Sequence, residues 1–293
     1  MELLAKQIVE GYMIGLHKSP YHGFSVEFAE HRLYNQGEST RYIDWKLYGK
    51  TDKLFIKKFE EETNLRCQIV IDTSSSMYFP PNTQKDQPFN KIQFSVYAAA
   101  ALIHLLHKQR DAFGLSFFDE KLSLHTEAKT STVHKRYLFN LLEKTMISGN
   151  ENKRTSTAKS IHEIAGLLHK RSLVVIFSDF LGQGENINEL TSALQHLRHN
   201  KHEVILFQVI DSQKEIKFDF PNKPSRFIDK ETGQDVKLNP AEIRQAYREN
   251  MSAYNKLLKL KSTQYHIDFV EADIHQGFDA VLTAYLLKRK RLY

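Results

Sequence analysis

The chain has 293 residues, 41% of them hydrophobic and 26% charged, a formal net charge of +6 and a single cysteine. That is a globular balance, with length enough for one large domain or two. The lone Cys67 excludes an intramolecular disulfide and a cysteine-built zinc site. No apolar stretch reaches the roughly 18–20 residues that span a bilayer, and the mild positive charge lacks the aromatic interleaving of a nucleic-acid surface.

Met1 to Leu16 reads as a helix whose Glu2, Lys6 and Glu10 interrupt any signal-peptide apolar region; the expectation is a cytoplasmic chain. A Gly/Pro-punctuated stretch follows, then a strand-like Lys53 to Lys57. Gln68 to Asp72 is an apolar strand, and after a polar loop at Pro80 to Gln87 a core helix runs from Lys91 to Lys108. Ala112 to Phe118 and Leu122 to His125 form a strand pair around Asp119-Glu120, followed by a helix at His134 to Lys144. Thr155 opens a helix to about His169, with a hydroxyl placed to cap it. Leu173 to Phe177 is a strand, Glu189 to Arg198 a helix and Val204 to Val209 a strand. This alternation predicts an α/β fold with a doubly wound, mainly parallel sheet.

A hairpin is then expected from Arg226 to Asp229 and Gln234 to Lys237, turning at Thr232-Gly233. Asn239-Pro240 starts a long helix to about Lys261, with proline in its first turn. His266 to Val270 is a last sheet strand and Phe278 to Leu287 a last helix, ending in the basic run Lys288 to Arg291 that complements the helix dipole.

Chemistry concentrates at two strand ends and one helix start. Asp72-Thr73-Ser74-Ser75-Ser76 closes the run Gln68 to Ile71, Ser178-Asp179 closes Leu173 to Phe177, and Thr155-Ser156-Thr157 stands between them. Each segment alone also reads as a helix cap or turn. Together they place oxygen ligands where the carboxyl ends of parallel strands converge on one crevice. A set made only of oxygens suits a hard cation, Mg²⁺ or Mn²⁺.

The order Asp-x-Ser-x-Ser, then Thr, then Asp resembles the metal-ion-dependent adhesion site of von Willebrand factor A domains. The resemblance implies a metal site of Asp72, Ser74, Ser76, Thr155 and Asp179. In that family the two serines and the threonine usually touch the metal, and the aspartates often act through water. Thr157 competes with Thr155, and Thr155 is preferred because Thr-Ser-Thr-Ala-Lys-Ser-Ile aligns best with the family pattern. Neutral hydroxyls would leave much of the metal's charge uncompensated, so an open position would attract a partner's carboxylate.

The segment before Asp72 narrows the resemblance. It carries Gly23-x-x-x-Glu27-Phe28, Arg32-x-Tyr34 and Gly37-Glu38-x-x-Arg41-x-Ile43-Asp44-Trp45, then Lys57 and Glu60-Glu61-Glu62. This is similar to the bacterial family called domain of unknown function 58, a von Willebrand factor A-like group often encoded beside MoxR-type AAA+ ATPases. Glu38 stands where the family usually has Asp, and Lys50 where it often has Arg. The likeness extends to the Phe-Ser-Asp-Phe stretch at Asp179 and to Asp229-Lys-Glu-Thr-Gly233.

It implies an N-terminal segment, 1–65, packed on a von Willebrand factor A-like domain, 66–293, with an insertion at about 213–263. The charges Glu27, Arg32, Arg41, Asp44 and Lys57 could build a buried ion network or a binding surface; tight Arg–carboxylate geometry and the lone Trp45 favour the first.

The function it implies is a non-enzymatic, metal-dependent interaction module. Its partner would be a MoxR-type AAA+ ATPase or that ATPase's client, completing the metal site with an Asp or Glu. A metal-dependent hydrolase or phosphotransferase is the alternative. Against it, the aspartyl-nucleophile pattern needs a second Asp where Ser74 stands, and no serine elbow or Walker lysine motif occurs. Nucleic-acid binding rests on net charge alone.

Overall fold

The structure, a computed structural model, describes residues 1–17, 31–33, 45–57, 65–81, 89–147, 155–181 and 187–292. They fall into two units, 1–14 with 65–293, and 15–64. The first helix, α1 (Glu2–His17), buries Ala5 and Val9 in the core of the larger unit. In the smaller unit β1 (His31–Leu33) pairs antiparallel with β2 (Phe55–Lys57), and α2 (Trp45–Thr51) lies between them in the chain.

The larger unit is built on a six-stranded sheet. Its strands are β3 (Arg66–Asp72), β4 (Ala112–Phe118), β5 (Leu122–His125), β6 (Leu173–Ser178), β7 (Glu203–Ile210) and β10 (Asp268–Asp273). Their spatial order is β10-β7-β6-β3-β4-β5, parallel throughout except for β5, which runs antiparallel to β4 at one edge. The expected doubly wound, mainly parallel sheet is therefore present. Its strands are apolar on both faces because helices cover both. Ile69, Ile71, Val175, Phe177 and Phe207 face one layer, with α3 (Lys91–Lys108), α4 (Thr132–Ile147) and α8 (Asp279–Leu292). Val70, Val174, Ile176, Val204 and Leu206 alternate onto the other, with α5 (Thr157–Leu167) and α6 (Ile187–His199).

Strand order reverses between β3 and β6. The helix leaving β3, α3, packs on one face, and the helix leaving β6, α6, packs on the other. The carboxyl ends of β3 and β6 thus flank the crevice at which doubly wound sheets bind ligands.

Between the parallel neighbours β7 and β10 stand a hairpin, β8 (Ser225–Ile228) with β9 (Asp235–Leu238), and the 25-residue α7 (Pro240–Gln264). Leu258 near the end of α7 is buried in the second layer, so this part of the helix serves as the crossover that parallel strands require. A cluster of Phe218, Phe220, Phe227 and Tyr247 ties the base of the hairpin to α7.

Candidate metal centre

Asp72 is the last residue of β3 and is fully buried. Its Oδ1 accepts the Ser74 backbone N–H at 2.9 Å, a local turn that folds the following serines back over the strand end. Its Oδ2 accepts the Ser178 hydroxyl at 2.7 Å and the Thr155 hydroxyl at 3.3 Å. One carboxylate therefore gathers the ends of β3 and β6 and the approach to α5.

Ser74 and Ser76 present their hydroxyl oxygens 3.0 Å apart. Adjacent ligands of an octahedral Mg²⁺ ion, with bonds of about 2.0–2.1 Å, lie about 2.9–3.0 Å from each other, so the two serines are spaced as neighbouring ligands would be.

Thr155 differs in one respect from its sequence reading. The helix begins at Thr157, Ser156 is its N-cap without a side-chain cap bond, and Thr155 does not cap it. The Thr155 hydroxyl is drawn instead to the buried charge of Asp72. Thr157 Oγ1 lies 3.3 Å behind Thr155 Oγ1 and is fully buried, so of the two threonines Thr155 has the contact to Asp72.

Asp179 follows β6 and is also fully buried. Its Oδ1 accepts the Leu181 N–H at 3.1 Å and its Oδ2 accepts the Lys91 ammonium at 2.7 Å; the Ser76 hydroxyl lies near enough to favour its charge as well. Lys91, the first residue of α3, is 1% exposed and makes a second ion pair, 2.5 Å, with Glu215. Asn90 fixes that helix start through a capping box with Gln93.

A third carboxylate arrives from the hairpin turn. Glu231 is 6% exposed and stands close enough to the Ser76 hydroxyl and Thr155 backbone N–H for both to favour its charged form.

The electrostatics follow from burial. Burial and the neighbouring charge of Asp179 push the Asp72 carboxyl up to about 7, against the hydrogen bonds from Ser178 and Ser74. Burial raises Asp179 too, but the charge and hydrogen bond of Lys91 win and hold it below the usual carboxylate range. Burial disfavours the Lys91 ammonium, yet Asp179 and Glu215 together raise its pKa. Glu215 is shifted up, with burial outweighing Lys91. Burial and Asp179 push Glu231 up to about 7. Lys91 is thus one cation placed among more buried carboxylates than it can neutralise.

A family model described as "Protein of unknown function DUF58" matches residues 30–256. The chain belongs to this family. Uncharacterised proteins of Mycobacterium bovis and Mycobacterium tuberculosis are 26% identical to it over 211 residues, 72% of this chain. The matched region spans 63% of the length of those curated relatives. Similar solved structures include an aerotolerance-related membrane protein from Bacteroides fragilis, with 12% identity, a TM-score of 0.49 and 77% of this chain covered against 99% of that one. Another is the conserved hypothetical protein BatB from Bacteroides thetaiotaomicron, with 11% identity, a TM-score of 0.47 and coverage of 78% and 99%. Among the described residues of this DUF58 chain, no helix is long and apolar enough to cross a membrane.

Of the five residues singled out in the DUF58 sequence, Asp72, Ser74, Ser76 and Thr155 share one hydrogen-bonded cluster, and Asp179 stands near enough for its charge to raise the Asp72 pKa. Among the described residues no three His, Cys, Asp or Glu side chains are grouped to hold a metal by themselves. A cation here would need the hydroxyls. The donor set fits a hard ion: all oxygen, with two serines at cis-ligand spacing and buried carboxylates behind. Ser74, Ser76 and Thr155 would hold it, with Asp72 and Asp179 supplying compensating charge.

Sequence reasoning missed Lys91, Ser178, Glu215 and Glu231. Ser178 was adjacent to a chosen residue, whereas Lys91 and Glu215 reach the site only through tertiary contacts. Of the N-terminal fingerprint, Glu27, Arg41 and Asp44, and the side chains of Arg32, Trp45 and Lys57, lie outside the described residues.

Proposed function

We propose that this protein is a non-enzymatic, metal-dependent interaction module. Ser74, Ser76 and Thr155 hold Mg²⁺ or Mn²⁺ over Asp72 and Asp179, and a partner's Asp or Glu binds at the metal. The observation that carries this reading is the 3.0 Å hydroxyl pair set among buried carboxylates at the β3–β6 switch point. Asp72 has both oxygens occupied by hydrogen bonds, which suits an anchoring role better than nucleophilic attack. The partner proposed is a MoxR-type AAA+ ATPase or its client, from the family resemblance, with the protein acting as a cytoplasmic adaptor.

The test is Mn²⁺ titration of the wild type and Asp72→Ala by isothermal calorimetry. Saturable one-site binding that disappears in Asp72→Ala is expected. Equal binding by the two proteins would place the metal elsewhere. Pull-down of the ATPase in Mg²⁺ and in EDTA extends the test, since a partner carboxylate at a metal needs the ion more than it needs low salt. Phosphoester turnover that vanishes in Asp72→Asn would replace this reading with a metal-dependent hydrolase.

A further inference from the structure

The β8–β9 hairpin inverts the usual rule of burial. From Asp219 to Asn239 Glu231 alone is buried, while Ile228 and Val236 are 58% and 54% exposed. A glutamate is among the residues least often buried without a partner. Here the Ser76 hydroxyl and the Thr155 backbone N–H lie near enough to the carboxylate to favour its charge, yet Glu231 Oε1 is buried with no hydrogen-bond partner. A buried acceptor left open is costly, and it marks a place where a donor or a cation belongs.

The turn is built to deliver this side chain. The Asp229 carboxylate accepts the Glu231 N–H at 2.9 Å and also the Thr232 hydroxyl. Gly233 N–H donates to the Asp229 carbonyl, and Gly233 sits at φ 72°, a left-handed conformation that suits glycine. The turn braces itself, and Glu231 is the side chain it sends inward.

We propose that Glu231 is the chain's own carboxylate ligand for the metal. It fills the position that a partner's Asp or Glu would take, so the hairpin competes with the partner and must withdraw before one can bind. This rests on the metal reading above. Ser76 is common to both: its hydroxyl is cis-spaced from Ser74 and also faces Glu231. A ligand tethered by a short hairpin acts at an effective concentration of order millimolar or above, so a free carboxylate has to exceed that level.

The experiment compares wild type, Glu231→Gln and Asp72→Ala, using Mn²⁺ alone and then Mn²⁺ with N-acetylaspartate. Calorimetry gives metal affinity, and water-proton relaxation reports the exchangeable waters on bound Mn²⁺. Glu231→Gln keeps the side-chain shape but removes the charged ligand. Expected are a loss of Mn²⁺ affinity of roughly tenfold or more, higher relaxation per bound ion as water enters the vacated position, and N-acetylaspartate binding at lower concentration than in the wild type. If Glu231→Gln matches the wild type in affinity and relaxation while Asp72→Ala binds nothing, Glu231 is no ligand and the metal reading stands alone. If the wild type itself binds no Mn²⁺, both are overturned.

Discussion

At the scale of single residues the decisive group is Lys91. Its ammonium is buried between Asp179 at 2.7 Å and Glu215 at 2.5 Å. Such a pair adds little net stability over an apolar substitute, but removing one member strands the other charge in a poorly solvated place. Lys91→Ala should therefore cost about 3–5 kcal/mol, read as a lower urea midpoint in metal-free buffer. The stranded carboxylates would then accept any other cation available. Added Mg²⁺ should recover part of that loss in Lys91→Ala when the metal site is intact, and none in Lys91→Ala combined with Asp72→Ala. Equal recovery in both would mean that the ion acts by general screening rather than at this site.

At the scale of elements, α3 sets where Lys91 stands. Asn90 Oδ1 accepts the Gln93 N–H at 2.9 Å, and Gln93 Oε1 accepts the Asn90 N–H at 3.2 Å. Asn90→Ala removes one half of this box and should lower stability by about 1 kcal/mol, seen as a shift in urea midpoint with unchanged slope; no shift would mean that the helix start is held by Lys91 alone. The elements themselves were largely legible in the sequence. β3, β6 and β7 are apolar on both faces and flanked by polar turns, which is how buried parallel strands read. α2 was not legible, being seven residues long with Gly49 inside it. Nor was the π-helical turn Ser212–Ile216, which is fixed by the Asp211 side chain accepting the N–H groups of Gln213 and Lys214 rather than by any periodicity. Asp72, Ser74, Ser76 and Asp179 could be found because each lies at or just past the end of an apolar strand. Glu231 could not be found that way. It looks like an ordinary hairpin-turn glutamate, and only the return of the β8–β9 turn onto α5's approach puts it beside Ser76.

At the scale of the whole molecule, the centre exists only when the chain is folded. Its oxygens come from the end of β3, the approach to α5 and the end of β6, and they meet because strand order reverses between β3 and β6. An unfolded chain cannot assemble three neutral hydroxyls around one ion, so a metal that binds here binds the native state alone. Linkage then requires stability to rise with free metal, by about 2.7 kcal/mol at a hundred times the dissociation constant. The melting temperature of the wild type should climb with the logarithm of Mg²⁺ concentration once the site begins to fill. NaCl at matched ionic strength should not reproduce the climb, because screening acts on exposed charges and the carboxylates Asp72 and Asp179 are fully buried. Asp72→Ala should be flat. Glu231→Gln should climb too, but only from a higher Mg²⁺ concentration, since it keeps the hydroxyls and loses one ligand. A wild-type melting temperature that responds equally to NaCl and to Mg²⁺ would show that no specific ion is bound at the strand ends.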